Sequence, residues 1–167
     1  EIGTINPIKA IATLAHANGS LVHTDAVQAL GRIPVDVKNL DVDFLSLSAH
    51  KTYGPKGIGA LYCRSGVQLE PLIVGGGQEN DRRSGTLYVP GIVGFGKACQ
   101  ICEDEMIIEN EKLCRWRDQI IQTLLEKIPG TVLNGHPKER LPHNINVSFT
   151  DIAAPDLLIM YMKNVAC

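Results

Sequence analysis

The sequence predicts an α/β domain on a mixed, mostly parallel sheet, and three observations carry that expectation. A helical pattern precedes two short strand patterns, and the stretch between those strands is long enough for a crossover, so they pair in parallel. The next link, residues 50–56, is too short for a crossover and makes the third strand antiparallel. From residue 92 the period turns helical and stays so to residue 128.

The elements follow in order. Pro7 opens a helix with Ile8, Ile11, Ala12, Leu14 and Ala15 expected on one apolar face, and Asn18-Gly19 supplies a left-handed stop. Residues 21–24 read as a strand ending at Asp25. Residues 44–48 alternate, with Phe44, Ser46 and Ser48 on one face and Leu45 and Leu47 on the other. Residues 57–63 form the third strand. The long helix carries Leu113, Trp116, Ile120 and Leu124, flanked by Ile121, Leu125 and Ile128, and stops at Pro129-Gly130. Strands are expected at 131–133 and 145–149, then a helix near 155–163. The expected division is 1–98 for the carboxyl-terminal half of a large domain and 99–167 for part of a smaller one that begins with the long helix.

The chain has 167 residues, 44% hydrophobic and 20% charged, with net charge -2. That is an ordinary globular composition, without the basic stripe that nucleic acid requires. No apolar run approaches the ~20 residues of a membrane span, and no basic-then-apolar stretch at the amino terminus reads as a signal peptide. Five cysteines without framework spacing fit a reducing compartment, so a cytoplasmic or organellar matrix location is expected and secretion is not. The start at Glu1 and the stop at Cys167 read as those of a fragment.

Asp25 and Lys51 fall at the carboxyl ends of neighbouring parallel strands, where open α/β sheets bind ligands. A carboxylate and an amine over one crevice suit pyridoxal 5'-phosphate, whose aldehyde needs a lysine and whose ring nitrogen needs an acid partner. The amine must be neutral to attack a carbonyl, and a lysine shifts its pKa readily when desolvated or near another cation; His50 is beside Lys51 and Lys56 is nearby. Taken singly, Asp25 reads as a turn cap and Lys51 as a solvated charge. With His23, Gln28, Ser48 and His50 turned to the same edge, a binding site is the better reading, because polar groups repeated on one strand face need partners.

The segments Glu1-Ile2-Gly3-Thr4-Ile5-Asn6-Pro7, His23-Thr24-Asp25-Ala26-Val27-Gln28, Ser46-Leu47-Ser48-Ala49-His50-Lys51, Gly54-Pro55-Lys56-Gly57-Ile58-Gly59-Ala60-Leu61-Tyr62, Gly75-Gly76-Gly77-Gln78-Glu79 and Arg83-Ser84-Gly85-Thr86 resemble consecutive signatures of the NifS/IscS-type cysteine desulfurases, within the class V aminotransferase-like enzymes. The resemblance implies a pyridoxal phosphate-dependent transferase of fold type I. It also implies a reaction that takes sulfur from L-cysteine, releases L-alanine and keeps the sulfur as an enzyme persulfide for iron–sulfur cluster and thiocofactor assembly. Its implied partners are a second subunit in a homodimer and the sulfur-acceptor or scaffold proteins of that assembly.

On the same resemblance, Lys51 is similar to the Schiff-base lysine and proton shuttle, Asp25 to the partner of the ring nitrogen, and Gln28 to the donor to the phenolic oxygen. Ser48 and His50 resemble phosphate ligands, and Thr86 resembles the threonine that reaches the neighbouring subunit's phosphate. Gly54, Gly57 and Gly59 are expected to let the chain turn without crowding the cofactor, with Pro55 stiffening that turn. Gly75-Gly76-Gly77 reads as a flexible crossing near the dimer contact, Arg82 as a solvated charge, and His136 and His143 as loop residues without a role.

Cys99 and Cys102 have redox or zinc spacing, but both lie on the long helical pattern without a second pair, so neither a metal nor a disulfide is expected. Cys63 and Cys114 read as small buried hydrophobes. In the family the persulfide cysteine follows a Ser/Thr-Gly-Ser-Ala-Cys stretch further along, so Cys167 is not given that role. The family's phosphate-binding turn and ring-stacking histidine would precede this chain, and its substrate-carboxylate arginine would follow it. The isolated chain is therefore expected to lack turnover. The alternatives are a selenocysteine lyase or other class V relative, and a non-catalytic dimerisation or scaffold module.

Overall fold

The computed structural model describes residues 1–150. Helix α1, Ile8–Ala17, follows Pro7 and ends at Asn18, whose side chain bonds the Leu14 carbonyl at 2.8 Å. Gly19 takes the left-handed conformation that stops it, at φ 71°. Ala12 is fully buried and Ile8 and Ala15 pack beside it, a stripe of i, i+4 and i+7. Ile11 and Leu14 do not share it. They are 46% and 69% exposed, because they sit one step around the helix from the stripe that meets the sheet.

Strand β1, His23–Asp25, pairs in parallel with β2, Phe44–Ser48. Strand β3, Gly59–Cys63, pairs antiparallel with β2 over its whole length, giving the order β1-β2-β3. The mixed sheet is thus as the link lengths predict. Two starts are later than the alternation suggests: Val22 gives its N–H to Asp43 instead of to a ladder, and Gly57 turns at φ 78°. The crossover from β1 to β2 holds a helical turn after Ala26 and a short helix α2, Val37–Leu40, capped by the Asp36 carboxylate through Lys38 N–H and Asn39 N–H. Val22, Ala26, Val42 and Leu45 join Ala12 in the core, with Leu45 and Val42 the largest fully buried side chains.

Helix α3, Val89–Lys127, is a single helix of 39 residues, with Pro90 inside its first turn. Hairpin strands β4, Thr131–Leu133, and β5, Val147–Phe149, pair antiparallel. The helix expected near 155–163 lies outside the described residues, as does Cys167. Among the described residues, no helix is long and apolar enough to cross a membrane.

The chain divides into two compact units, Asn6–Glu109 and Glu1–Ile5 with the chain from Asn110 onward. The limits of these units have identifiable causes. Cys102 packs under Gly31 and Glu109 pairs with Arg32, which ties residues 99–109 to the first unit. Thr4 bridges to Arg140, which places the first residues with the second unit. There Arg140, 3% exposed, donates to the carbonyls of Ile2, Asn134 and His136 and to Asn144 Oδ1. Burial, with Arg117 nearby, lowers its pKa. In this unit Ile121 is buried, whereas Trp116, Ile120 and Leu125 are about half exposed, so the expected stripe of α3 is only partly covered among the described residues.

Candidate active site at the carboxyl edge of the sheet

Parallel pairing brings Asp25 opposite Ser46, with Ser48 one step further along the same face of β2. Asp25 is exposed, and its Oδ1 accepts the Val27 N–H at 2.8 Å, which fixes the carboxylate at the strand end. The turn-cap reading is therefore correct for one oxygen. No hydrogen bond is made by the other among the described residues.

After β2 the chain enters a 3-10 turn, Ala49–Thr52, that carries His50 and Lys51, both exposed. Ser48 Oγ lies 3.0 Å from His50 Nδ1, and His23 Nε2 lies 2.7 Å from Ser46 Oγ. The Ser48–His50 pair therefore stands at the carboxyl end of β2, and the His23–Ser46 pair lies two residues back on each strand, on the same face as Asp25 and Ser48. Each imidazole has its second ring nitrogen, and each hydroxyl further capacity, for an outside ligand.

The turn is anchored from inside by Thr52, buried, whose hydroxyl donates to Ala49 O at 2.9 Å. The N–H groups of Tyr53 and Gly54 reach the same carbonyl, and Tyr53 takes a left-handed φ of 60°. Gly54 is required here for packing against the protein itself. A Cβ there would stand 2.9 Å from Ala49 O, and one on Gly59 2.6 Å from Leu47 O. Only Gly57 has open space and a positive φ, so the expectation that these glycines clear room for a ligand is replaced by close backbone approach.

Gln28 is exposed in the turn after β1, so it lies at the same edge. Thr86 is exposed in the loop ahead of α3, and among the described residues no hydrogen bond or ion pair joins it to Ser48, His50 or Lys51. Its neighbour Gly85 donates to Gln78 Oε1 at 2.9 Å, and Ser84 is buried, so this loop is internally tied. Cys63, Cys99, Cys102 and Cys114 are free thiols, each half-buried. Burial pushes up the pKa of Cys99 and Cys102, which makes them poor thiolates. No metal-ligating cluster exists among the described residues.

Sequence reasoning did not single out Ser46, Arg32 or Tyr53. Alternation with Ser48 was the available signal for Ser46. Arg32 carries none, because its partners are distant in sequence. Its guanidinium donates to Tyr53 Oη at 3.1 Å and to Glu109 Oε2 at 3.0 Å, and stands 5.5 Å over the Tyr53 ring. Burial opposes the charge on Arg32, and Tyr53 and Glu109 outweigh it, so its pKa lies above the ordinary value.

The mixed sheet, with Asp25 ending β1 and Lys51 in the turn after β2, is that of an α/β protein, and its family match and similar structures give its class as the fold-type I transferases. Residues 1–166 match the Aminotransferase class-V family, and the chain belongs to it. It is 54% identical over 160 residues to the cysteine desulfurase IscS of Methanosarcina thermophila, covering 96% of this chain and 39% of that protein. It is 47% identical over 163 residues to a cysteine desulfurase of Gluconacetobacter diazotrophicus, covering 98% and 41%. Among solved structures, a NifS-like protein superposes with TM-score 0.84 at 40% identity, over 91% of this chain and 42% of the other. The NifS-like protein of Rickettsia africae superposes with TM-score 0.82 at 34% identity, over 95% and 44%. The chain thus spans about two fifths of the length of these relatives.

Proposed function

We propose that this chain carries the lysine-bearing part of a pyridoxal phosphate-dependent cysteine desulfurase, acting on L-cysteine within a homodimer and passing sulfur to acceptor proteins of iron–sulfur assembly. The observation that carries the reading is the edge itself: the exposed Lys51 amine follows directly on the Ser48–His50 pair, across from the fixed carboxylate of Asp25. The names of the similar proteins support the same reaction.

The residues present fit the cofactor. An aldehyde needs a primary amine on a mobile tether, a phosphate needs clustered donors, and a pyridinium nitrogen needs a carboxylate. Lys51, the Ser48–His50 pair and Asp25 are those groups at one sheet edge. Bound pyridoxal phosphate would supply an electrophilic carbon and a protonated ring that draws electrons from the substrate. Asp25, with Oδ1 occupied by Val27 N–H, would hold the ring-nitrogen proton with its second oxygen. Ser48 Oγ and His50 would donate to phosphate oxygens, the contact between them holding both in place beforehand. Gln28 would donate to the phenolic oxygen. Lys51 Nζ would anchor the cofactor, and as a free amine would take the α-proton of L-cysteine and return one. Thr86 would complete the phosphate site of a partner subunit. Domains 1–98 and 99–167 would be parts of the large and small domains of the whole enzyme.

The test is incubation with pyridoxal phosphate, reduction with borohydride and peptide mapping. Labelling of Lys51 is expected. A folded chain that is left unlabelled at Lys51 would overturn the reading.

A further inference from the structure

Asp25 ends β1 opposite Ser46, and the next residue, Ala26, donates to Ser46 O, so its position is set by the ladder. Lys51 lies in the turn beyond β2. The Thr52 hydroxyl and the Tyr53 and Gly54 N–H groups tie that turn to its own first residue, Ala49, and so close it on itself. They do not connect it to the segment that leaves β1 after Asp25.

Arg32 does make that connection. It belongs to the segment that leaves β1 through Asp25, where Arg32 N–H bonds Ala29 O and Ala29 N–H bonds Ala26 O. Its side chain, 11% exposed, crosses to the residue that closes the Lys51 turn. Nη2 reaches Tyr53 Oη at 3.1 Å, and the guanidinium lies 5.5 Å from the ring centroid. Nη1 is bonded to Glu109 Oε2 at 3.0 Å on α3, so the planar fork is held at two corners by different elements. Gly31 admits this crossing: it sits at φ 71°, and a Cβ there would strike Cys102 Sγ at 2.6 Å. Tyr53 itself is held at a left-handed φ of 60°, which a bulky residue adopts only when its surroundings impose it.

We infer that Arg32 is a positioning residue for Lys51: bracketed between Glu109 and Tyr53, it fixes the Lys51 turn relative to the segment that leaves β1 after Asp25. The inference rests on the cofactor reading above for its consequence, and on the geometry alone for the clamp. Arg32 and Tyr53 touch neither reacting atom. They act through the backbone of residues 49–54.

Amide hydrogen exchange and cofactor titration on the same chain test it, using Arg32→Met, Arg32→Lys and Tyr53→Phe. The clamp predicts faster exchange at the Tyr53 and Gly54 amides in Arg32→Met, with the β2–β3 ladder amides of Leu47 and Ala60 unchanged. For pyridoxal phosphate, followed by its visible imine absorbance, the Kd is expected to rise about tenfold in Arg32→Met, as for loss of a hydrogen bond to a charged group. Tyr53→Phe keeps the ring under the guanidinium and loses the hydroxyl, so it should fall between. Arg32→Lys keeps a charge for Glu109 without the fork and should behave nearer to Arg32→Met than to the parent. Because Tyr53 is 80% exposed, the phenylalanine variant tests the contact without risk to the core. Unchanged Tyr53 and Gly54 exchange in Arg32→Met, or an unchanged Kd in both Arg32→Met and Tyr53→Phe, would overturn the inference. If the parent chain binds no pyridoxal phosphate, the function proposed above fails, and the exchange measurement still decides the clamp.

Discussion

At the amino ends of β1 and β2, Asp43 is buried and fully engaged: it accepts Val22 N–H at 2.8 Å, is bonded to His16 Nε2 at 2.8 Å, and forms an ion pair with Arg64 at 3.1 Å, whose Nε–H goes to Val42 O. Asp41 sits beside it, 2.6 Å from Arg64 Nη2 and 3.4 Å from His16 Nδ1, and Arg64 also donates to Val42 O. At the carboxyl ends of the same strands, Asp25, His50 and Lys51 are exposed, and Asp25 and His50 each make a single bond, to Val27 N–H and to Ser48 Oγ. One edge spends its polar groups on closing the fold, while the other leaves capacity for a ligand. That difference teaches where to look for function in such a sheet: in the polar set whose hydrogen bonding is incomplete.

Substitutions can separate the two edges. The largest effect is expected from Lys51→Arg, which should abolish borohydride-fixed labelling without moving it to Lys56, while chemical denaturation changes by less than about 0.5 kcal/mol. Asp43→Ala should do the reverse. It leaves the buried Val22 N–H without its acceptor and removes one of the two carboxylates that His16 and Arg64 share, so a loss of about 1–3 kcal/mol in urea unfolding is expected. Gly54→Ala forces a Cβ against Ala49 O and should cost about 1–3 kcal/mol, with weaker labelling of Lys51 in the fraction that remains folded.

The closed edge also sets a pH dependence. The hydrogen bond to Asp43, against an opposing burial effect, raises the pKa of His16 above its ordinary 6.5. Its stabilisation is therefore complete below 6.5 and is lost as pH rises through the raised folded value. For Asp43, burial works upward and is outweighed by the His16 and Val22 bonds; for Asp41, the Arg64 bond leads. Both are lowered from 3.8, so their contribution is present above that value and is lost as pH falls through the depressed folded one. Urea midpoints across pH should decline on the alkaline side, and His16→Gln should flatten that decline. The smallest effect is expected from Ser46→Ala. It removes one exposed partner of His23 and should change stability by less than about 0.5 kcal/mol in the same assay.

The open edge was largely legible in the sequence, because it is built from short-range order. Link lengths decide parallel against antiparallel pairing, alternation places Ser46 and Ser48 on one face, and His50 and Lys51 follow directly. The closed edge was not. His16, Asp41, Asp43 and Arg64 come from three separate places in the chain, and no local pattern foretells that they converge. The same holds for Arg32, whose partners Tyr53 and Glu109 are 21 and 77 residues away. Helix faces were read too broadly for a related reason: Ile11 and Trp116 fit the period, but period alone does not say which part of an apolar face another element covers.

The central claim is that folding, and not lysine chemistry as such, makes Lys51 the anchor. Mapping the borohydride-fixed pyridoxal phosphate adduct in the folded and in the urea-unfolded chain, at equal cofactor concentration, tests it most directly. The account predicts labelling confined to Lys51 when folded and spread across the lysines when unfolded. The same spread of label in both states would contradict it.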